Sequence, residues 1–263
     1  KGQHHTKTRN AKPHNMAKRF ISIWFRHLTT DWQTRRKREL KDVPFVFAAP
    51  ERGRMVVRAV NPVAAANGIH TGMVVADGRA ILPSLQILDA PLGKEETLLS
   101  ALAEWCIRYT PIVAIDLPDG LILDASGCAH LWGGEMPYLK DIVVRLRAFG
   151  YEIRPGMADT IGCAWAIARY GRLKPIIDPG GQVEALKHLP PAALRLETAI
   201  TDRLHKLGLT EIGSFMTMPR PALRRRFGES LLMRLDQALG QALETIIPVK
   251  PIEPYNERLP CLE

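Results

Sequence analysis

The sequence predicts an α+β domain followed by a small all-α domain, and three observations carry that prediction. Short apolar, β-rich runs alternate with helical stretches through the first two thirds of the chain. From about 183 to 245 only helical periodicity remains, broken by Gly and Pro. Between them Pro179-Gly-Gly181 forms a joint, which places a domain boundary within 175–182.

The elements follow in order. Phe20-Ile-Ser-Ile-Trp-Phe25 is a short apolar run between basic pairs and reads as a buried strand. Thr29 to Lys41 is polar and fits a helix whose Arg35-Arg36-Lys37-Arg38 run is solvated. Pro44–Ala49 and Met55–Val60 are strands, with a turn at Glu51-Arg-Gly-Arg54 making a hairpin. Asn61-Pro62 opens a short helix that stops at Asn67-Gly68, and another runs from Gly72 to Pro83. Glu95–Arg108 is helical, with Leu98, Leu99, Leu102, Trp105 and Cys106 on one face. A second hairpin joins Ile112–Ile115 to Leu121–Asp124 through Pro118-Asp-Gly120. Then come a helix over Glu135–Phe149, a strand over Tyr151–Met157 and an alanine-rich helix over Ile161–Tyr170. From Pro248 the text is proline-rich and reads as a linker.

Composition narrows the function classes. The chain has 263 residues, a net charge of +9 and a pI near 9.6, a balance that favours anionic partners, nucleic acid first. No run of about 18 apolar residues offers a membrane span. Residues 1–15 are basic and polar, so they read as a disordered extension rather than a secretory signal. Cysteines 106, 128, 163 and 261 stand alone, which predicts neither a disulfide framework nor a metal site and fits a cytoplasmic protein.

Two segments carry candidate chemistry. Leu204-His-Lys-Leu-Gly-Leu209 followed by Thr210-Glu-Ile-Gly-Ser-Phe215 has the pattern of a helix-hairpin-helix. In that motif glycines let backbone N–H groups approach a phosphate without reading sequence. Lys206, Gly208, Gly213 and the cations Arg224, Arg225 and Arg226 are the expected DNA contacts. The second hairpin holds Asp116, Asp119 and Asp124, an acidic group of the kind that holds paired divalent ions for phosphoryl transfer. Turn chemistry alone accounts for Asp119, however, and residues 16–30 contain no Asp or Glu.

The order of segments resembles the Y-family DNA polymerases, most closely their ImuB-type, UmuC-like branch. The resemblance rests on Asn61-Pro-Val-Ala-Ala to Gly72-Met73, Leu123-Asp-Ala-Ser-Gly127 to Leu131-Trp-Gly-Gly134, and Gly156-Met-Ala-Asp-Thr-Ile-Gly-Cys-Ala164. Leu207-Gly-Leu-Thr-Glu-Ile-Gly213 and Arg226-Phe-Gly228 extend it. It implies a palm with fingers over 16–175 (fingers roughly 26–85) and a helix-hairpin-helix thumb over 176–247. Residues 248–263 then lead toward a little-finger domain beyond this chain. The Asp-x-Asp of active members falls near Ser22 and Trp24, and their Asp-Glu pair falls on Asp119 and Gly120. Their triphosphate contacts fall near Pro62 and Ala65 and on Trp165.

The resemblance therefore implies a polymerase body without its metal site, acting in damage-induced mutagenesis and translesion synthesis. No cofactor is expected; Mg²⁺ belongs only to the alternative of an active polymerase with a substituted metal site. The implied partners are primer-template DNA, a RecA-like ImuA protein, an error-prone C-family polymerase, and the sliding clamp through the region beyond this chain. The implied location is the bacterial nucleoid. A DNA-independent protein scaffold is the remaining alternative.

Overall fold

The computed structural model describes residues 18–172 and 174–250. The expected extension over 1–15 and the linker from 251 onward lie outside the described residues. Strand β1 (Phe20–Phe25) is followed by α1 (Leu28–Arg36), β2 (Phe45–Glu51), β3 (Arg54–Val60), α2 (Pro62–Ala66), α3 (Val75–Ile81) and β4 (Gln86–Asp89). Next come α4 (Lys94–Cys106), β5 (Val113–Asp116), β6 (Gly120–Asp124), α5 (Glu135–Ala148), β7 (Ile153–Ala158) and α6 (Ile161–Tyr170). The rest is helical: α7 (Gln182–Leu186), α8 (Thr198–Lys206), α9 (Gly213–Met216), α10 (Arg220–Phe227) and α11 (Glu229–Leu239).

Four strands form one sheet in the order β5-β6-β1-β7, and three form another in the order β3-β2-β4. The first strand lies inside the larger sheet because both of its faces are apolar. Ile21, Ile23 and Phe25 enter a core with α4 and α5, built around Leu99, Tyr138, Ile142 and Leu146. Phe20 on the other face joins a second core with α6, Leu186, Phe215 and Leu231. The helical unit thus has no core of its own apart from α6. A boundary drawn in the linear sequence after residue 175 assigns α6 to the sheet alone; its buried side chains belong to both units.

Two glycines permit that double role. Gly156 lies opposite Ser22 in the antiparallel β1–β7 pair, on the face covered by α6. A Cβ on Gly156 would lie 2.3 Å from the Ala164 carbonyl oxygen and 2.6 Å from the Ala168 nitrogen. On the far side of α6, a Cβ on Gly162 would lie 2.9 Å from Ala238 Cα in α11. Thr160 caps α6 by accepting from the Cys163 N–H at 3.1 Å, and its hydroxyl donates to the Ala238 carbonyl at 2.8 Å. Nearby, buried Arg19 pairs with Glu135 and Asp159 at 2.6 Å each and donates to the Ile177 carbonyl at 2.9 Å. That residue ties the start of β1 to α5, to the turn before α6 and to the strap leaving for the helices.

The predicted elements differ from the observed ones in three places. The helix expected over Thr29–Lys41 ends at Arg36, and a separate 3₁₀ turn covers Arg38–Leu40 so that Leu40 can be buried. The helix expected from Gly72 begins at Val75, because Gly72 and Met73 are tied to β3 by the bonds Gly72 N–H to Val57 O and Val57 N–H to Met73 O. Residues Gln86–Asp89, too short and half-exposed to announce a strand, pair in parallel with β2.

Two predictions follow from this packing. Gly156→Ala forces β7 away from α6 and is expected to lower stability by about 1–3 kcal/mol in denaturant unfolding. A wild-type midpoint in that variant would contradict the close approach. Asp31, buried where its carboxylate accepts the Glu152 N–H at 2.8 Å, has its carboxyl pushed up to about 7 by burial. Stability from a raised carboxyl is fully present below its unfolded value and is lost as pH rises through the folded one. Wild-type stability should fall between roughly pH 4 and 7, and Asp31→Asn should flatten that slope.

Candidate functional site

The β5–β6 hairpin brings two acids to the end of the larger sheet. Asp116 ends β5 opposite Gly120, and Asp119 occupies the turn, where its carbonyl accepts the Phe25 N–H at 2.9 Å. Arg169, in the last turn of α6, places one Nη2 between them, 2.7 Å from Asp119 Oδ1 and 3.2 Å from Asp116 Oδ2. The Trp24 indole N–H donates to Asp119 Oδ2 at 2.9 Å, and the Trp165 indole N–H donates to Asp116 Oδ2 at 2.8 Å. One network therefore joins β1, the hairpin and α6.

Aromatic faces hold the guanidinium in place. The Arg169 guanidinium carbon lies 4.2 Å from the Trp165 ring centroid and 5.8 Å from that of Trp24. Arg195, from the helical unit, reaches within 5.7 Å of the Trp165 ring, and Arg154 within 6.0 Å of the Trp24 ring. Arg195 is itself fixed by Glu244 at 2.6 Å and sits in the left-handed backbone region, with φ of 57°. The Arg169 side chain is only 9% exposed. Burial pushes the Asp116 carboxyl above its ordinary range, while Arg169, Arg195 and the Trp165 hydrogen bond pull it back.

The positions expected to have lost metal ligands belong to this network or lie beneath it. Trp24 donates to the acid that remains. A Cβ on Gly120 would stand 2.9 Å from Asp116 Oδ2 and 3.0 Å from Arg169 Nη2, so glycine makes room for the ion pair. Ser22 is fully buried on the α6 face of the sheet, and its hydroxyl has no partner. Asp119, the acid that remains where the resemblance places an Asp-Glu pair, does not stand alone. Asp116 stands beside it, and no third acid or histidine joins the two among the described residues. Asp124 is turned to local work, accepting the Ser126 N–H at 3.0 Å.

This donor set does not fit the divalent ions that an active polymerase with a substituted metal site would need. Mg²⁺ takes near-octahedral oxygen ligands. Here one oxygen of each acid already accepts an indole N–H, and a guanidinium occupies the space between the acids. Guanidinium stays protonated and offers no open coordination position. It neutralises charge but activates no hydroxyl.

Two concavities flank the network. One, of about 490 Å³, is lined by Trp24, Asp116, Asp119, Trp165, Arg169 and Arg195. The other, of about 460 Å³, lies between the two sheets and includes Arg26, His27, Arg58, Ala65, His70 and Asp119. Pro62 and Ala65 are exposed on α2 and add no cation to it, while Arg58 is paired with Glu51 at 3.0 Å.

In the helical hairpin the structure revises the role expected of the glycines. The Gly208 N–H donates to His205 O at 2.9 Å, and the Gly213 N–H donates to Lys187 O at 2.8 Å. The Gly208 amide thus closes the hairpin and the Gly213 amide ties it to the chain just after α7, and the glycines serve a left-handed turn (Gly208, φ 74°) and a close approach to the Lys187 backbone (Gly213). Lys206 is exposed. Arg224 is drawn to Glu229 at 2.5 Å, whereas Arg225 and Arg226 are exposed without an ion pair among the described residues.

Sequence reasoning missed Arg169 and Arg195. A signal existed for the first: Trp165 and Arg169 are four residues apart on one helix and must share a face. Arg195 carried none, since it arrives from a distant turn. Removing Arg169 leaves two acids facing each other beside aromatic rings. Arg169→Ala is expected to lower stability by about 3–5 kcal/mol near neutral pH, with part of the loss recovered on acidification as the Asp116 carboxyl, raised by burial, is protonated. Equal loss at acid and neutral pH would show that packing, not charge, is the main contribution.

The impB/mucB/samB (IMS) family model matches residues 23–169, more than half of the chain. Among curated proteins, the chain is 44% identical over 196 residues to Protein ImuB of Caulobacter vibrioides (strain NA1000 / CB15N), covering 74% of this chain and 43% of the relative. It is 22% identical over 226 residues to DNA polymerase IV of Marinomonas sp. (strain MWYL1), covering 83% of this chain and 62% of that protein. The chain thus spans less than half the length of the ImuB protein it matches. Among solved structures it resembles the insertion ternary complex of Dbh DNA polymerase, with a TM-score of 0.72 and 17% identity over 87% of this chain and 69% of that one. It also resembles DinB from Sulfolobus solfataricus, with a TM-score of 0.68 and 16% identity over 87% and 69% of the two chains. The sheet, its covering helices and the helical unit are those of a Y-family polymerase palm, fingers and thumb, and the chain belongs to the impB/mucB/samB family.

Proposed function

We propose that this chain is the body of a non-catalytic Y-family polymerase homologue that acts in DNA-damage tolerance by binding DNA and organising other proteins. One observation carries the reading: Arg169 and two indoles take up the acids that two-metal chemistry would need. The likeness to ImuB supports the setting, and the polymerase fold supports DNA as a ligand. Recruitment of a RecA-like partner, an error-prone C-family polymerase and the sliding clamp belongs to the same proposal and rests on the family resemblance. A bacterial cytoplasmic, nucleoid-associated location goes with it.

In this reading the thumb holds duplex DNA loosely through Arg225, Arg226 and Lys206, contacting phosphate rather than bases. The second reading is an active polymerase, favoured by the survival of two adjacent acids, Asp116 and Asp119. Primer extension with Mg²⁺ or Mn²⁺ separates the two. We expect no templated addition by the wild-type chain, and none after Gly120→Glu, whose side chain meets the Arg169–Asp116 pair. Templated addition abolished by Asp119→Ala would overturn the proposal. Binding to primer-template DNA should weaken steeply with salt and fall on reversing Arg225 and Arg226 to Glu. A variant with undiminished affinity would assign DNA binding to another surface.

A further inference from the structure

A second basic surface lies on the palm, away from the helical hairpin. At the open edge of β7, where the chain leaving α6 swings out before rejoining the sheet, there is a cavity of about 150 Å³. Four cations line it, Arg147, Arg154, Arg172 and Lys174, and no acidic residue does. The rest of its wall is apolar or glycine. Among the described residues, none of these four cations has a carboxylate within ion-pair distance.

Arg154 is not a loose surface charge. Its guanidinium donates to the carbonyls of Arg169 and Gly171 at the C-terminal end of α6, and its carbon lies 6.0 Å from the Trp24 ring centroid. A fixed cation is thus flanked by three exposed ones, Arg147, Arg172 and Lys174. The site is poorly suited to an added strand: Pro155 has no N–H to offer, and the next edge donor, Met157 N–H, is already bonded to Pro175 O at 2.7 Å. Concavity, four cations and no acid complement a compact polyanionic group. On a protein of this fold the abundant source of such groups is the nucleic-acid backbone.

We infer that the β7 edge is a second phosphate site for the nucleic-acid backbone, separate from the thumb. The inference rests on the DNA-binding part of the proposed function. It adds that a strand contacting the thumb, or a single-stranded extension of it, is also held by Arg147, Arg154, Arg172 and Lys174.

The test uses the chain with Arg172→Glu and Lys174→Glu together, both side chains being exposed, beside the thumb pair Arg225→Glu and Arg226→Glu. Thermal unfolding confirms that each variant folds, and anisotropy of a labelled primer-template with a single-stranded overhang is read across a salt series. We expect the palm-edge variant to lose roughly tenfold in affinity at low salt, with the slope of log affinity against log salt smaller by about 1–2. Loss with the thumb variant alone overturns this inference and leaves the proposed function standing. Absence of DNA binding by the wild-type chain at low salt sinks both. Inorganic phosphate, titrated while amide resonances of 171–176 are followed, separates the sources: saturation by phosphate with no effect of the variant on DNA affinity means a free-anion site and also overturns the inference.

Discussion

Helix α6 lies so close to the central sheet that one methyl group on Gly156 would overlap the backbone of Ala164. On its other side the helix meets α11 nearly as closely, at Gly162 and Ala238. Interiors are close-packed, and backbone positions at such contacts have little freedom to shift. The separation of sheet and thumb is therefore set by two glycines, and what α6 carries on the face toward the β5–β6 hairpin is set with it. That face carries Trp165 and Arg169. The packing constraint and the chemistry of the site are two consequences of one helix position.

The electrostatics explain why the changes at the site belong together. Two carboxylates beside aromatic rings repel one another and pay for burial, so a site of this kind is costly without a cation. A divalent ion meets that need in a polymerising enzyme. Here a guanidinium meets it, planar enough to stack on Trp165 and always charged. Once the guanidinium is in place, a side chain at 120 would collide with it, and the indoles at 24 and 165 complete the hydrogen bonding of the acids. Trp24, Gly120, Trp165 and Arg169 together form a single solution to one charge problem. Restoring any one acid leaves the rest of that solution in the way.

Much of the fold was legible in the sequence because it depends on local patterning. The two-sided apolar run of β1, the Pro-Asp-Gly turn and the amphipathic α4 and α5 each announce themselves within ten or fifteen residues. The site was legible as a loss and not as a replacement. Ser22, Trp24 and Gly120 are expected as departures only through the resemblance to Y-family polymerases. That Trp24 and Trp165 donate to acids from other elements depends on the β1–β6 register and on the depth at which α6 packs, which no local pattern encodes. Arg195 lies further still from inference, coming from a 3₁₀ turn near 194 and meeting its partner Glu244 after α11. The roles expected of Gly208 and Gly213 failed for a related reason: their amides are bonded within the thumb, one to a carbonyl distant in sequence.

The distribution of paired and unpaired cations points to where such a protein holds an anion. Counterion release comes from cations that gain a phosphate, and a cation already held by a carboxylate gains little. Beside the β5–β6 hairpin the cations are committed: Arg169 to Asp116 and Asp119, Arg195 to Glu244. Around the thumb, Arg220 is held by Asp236, Arg224 by Glu229, and Arg234 by Glu244. Among the cations without an ion pair in the described residues are Lys206, Arg225 and Arg226 on the thumb and Arg147, Arg172 and Lys174 on the palm edge. The network of Asp116, Asp119, Arg169 and Trp165 meets Arg195 of the helical unit and so joins the larger sheet to it. On the proposed function, two such sets of charges carried by one fold would let two weak phosphate contacts act on one strand.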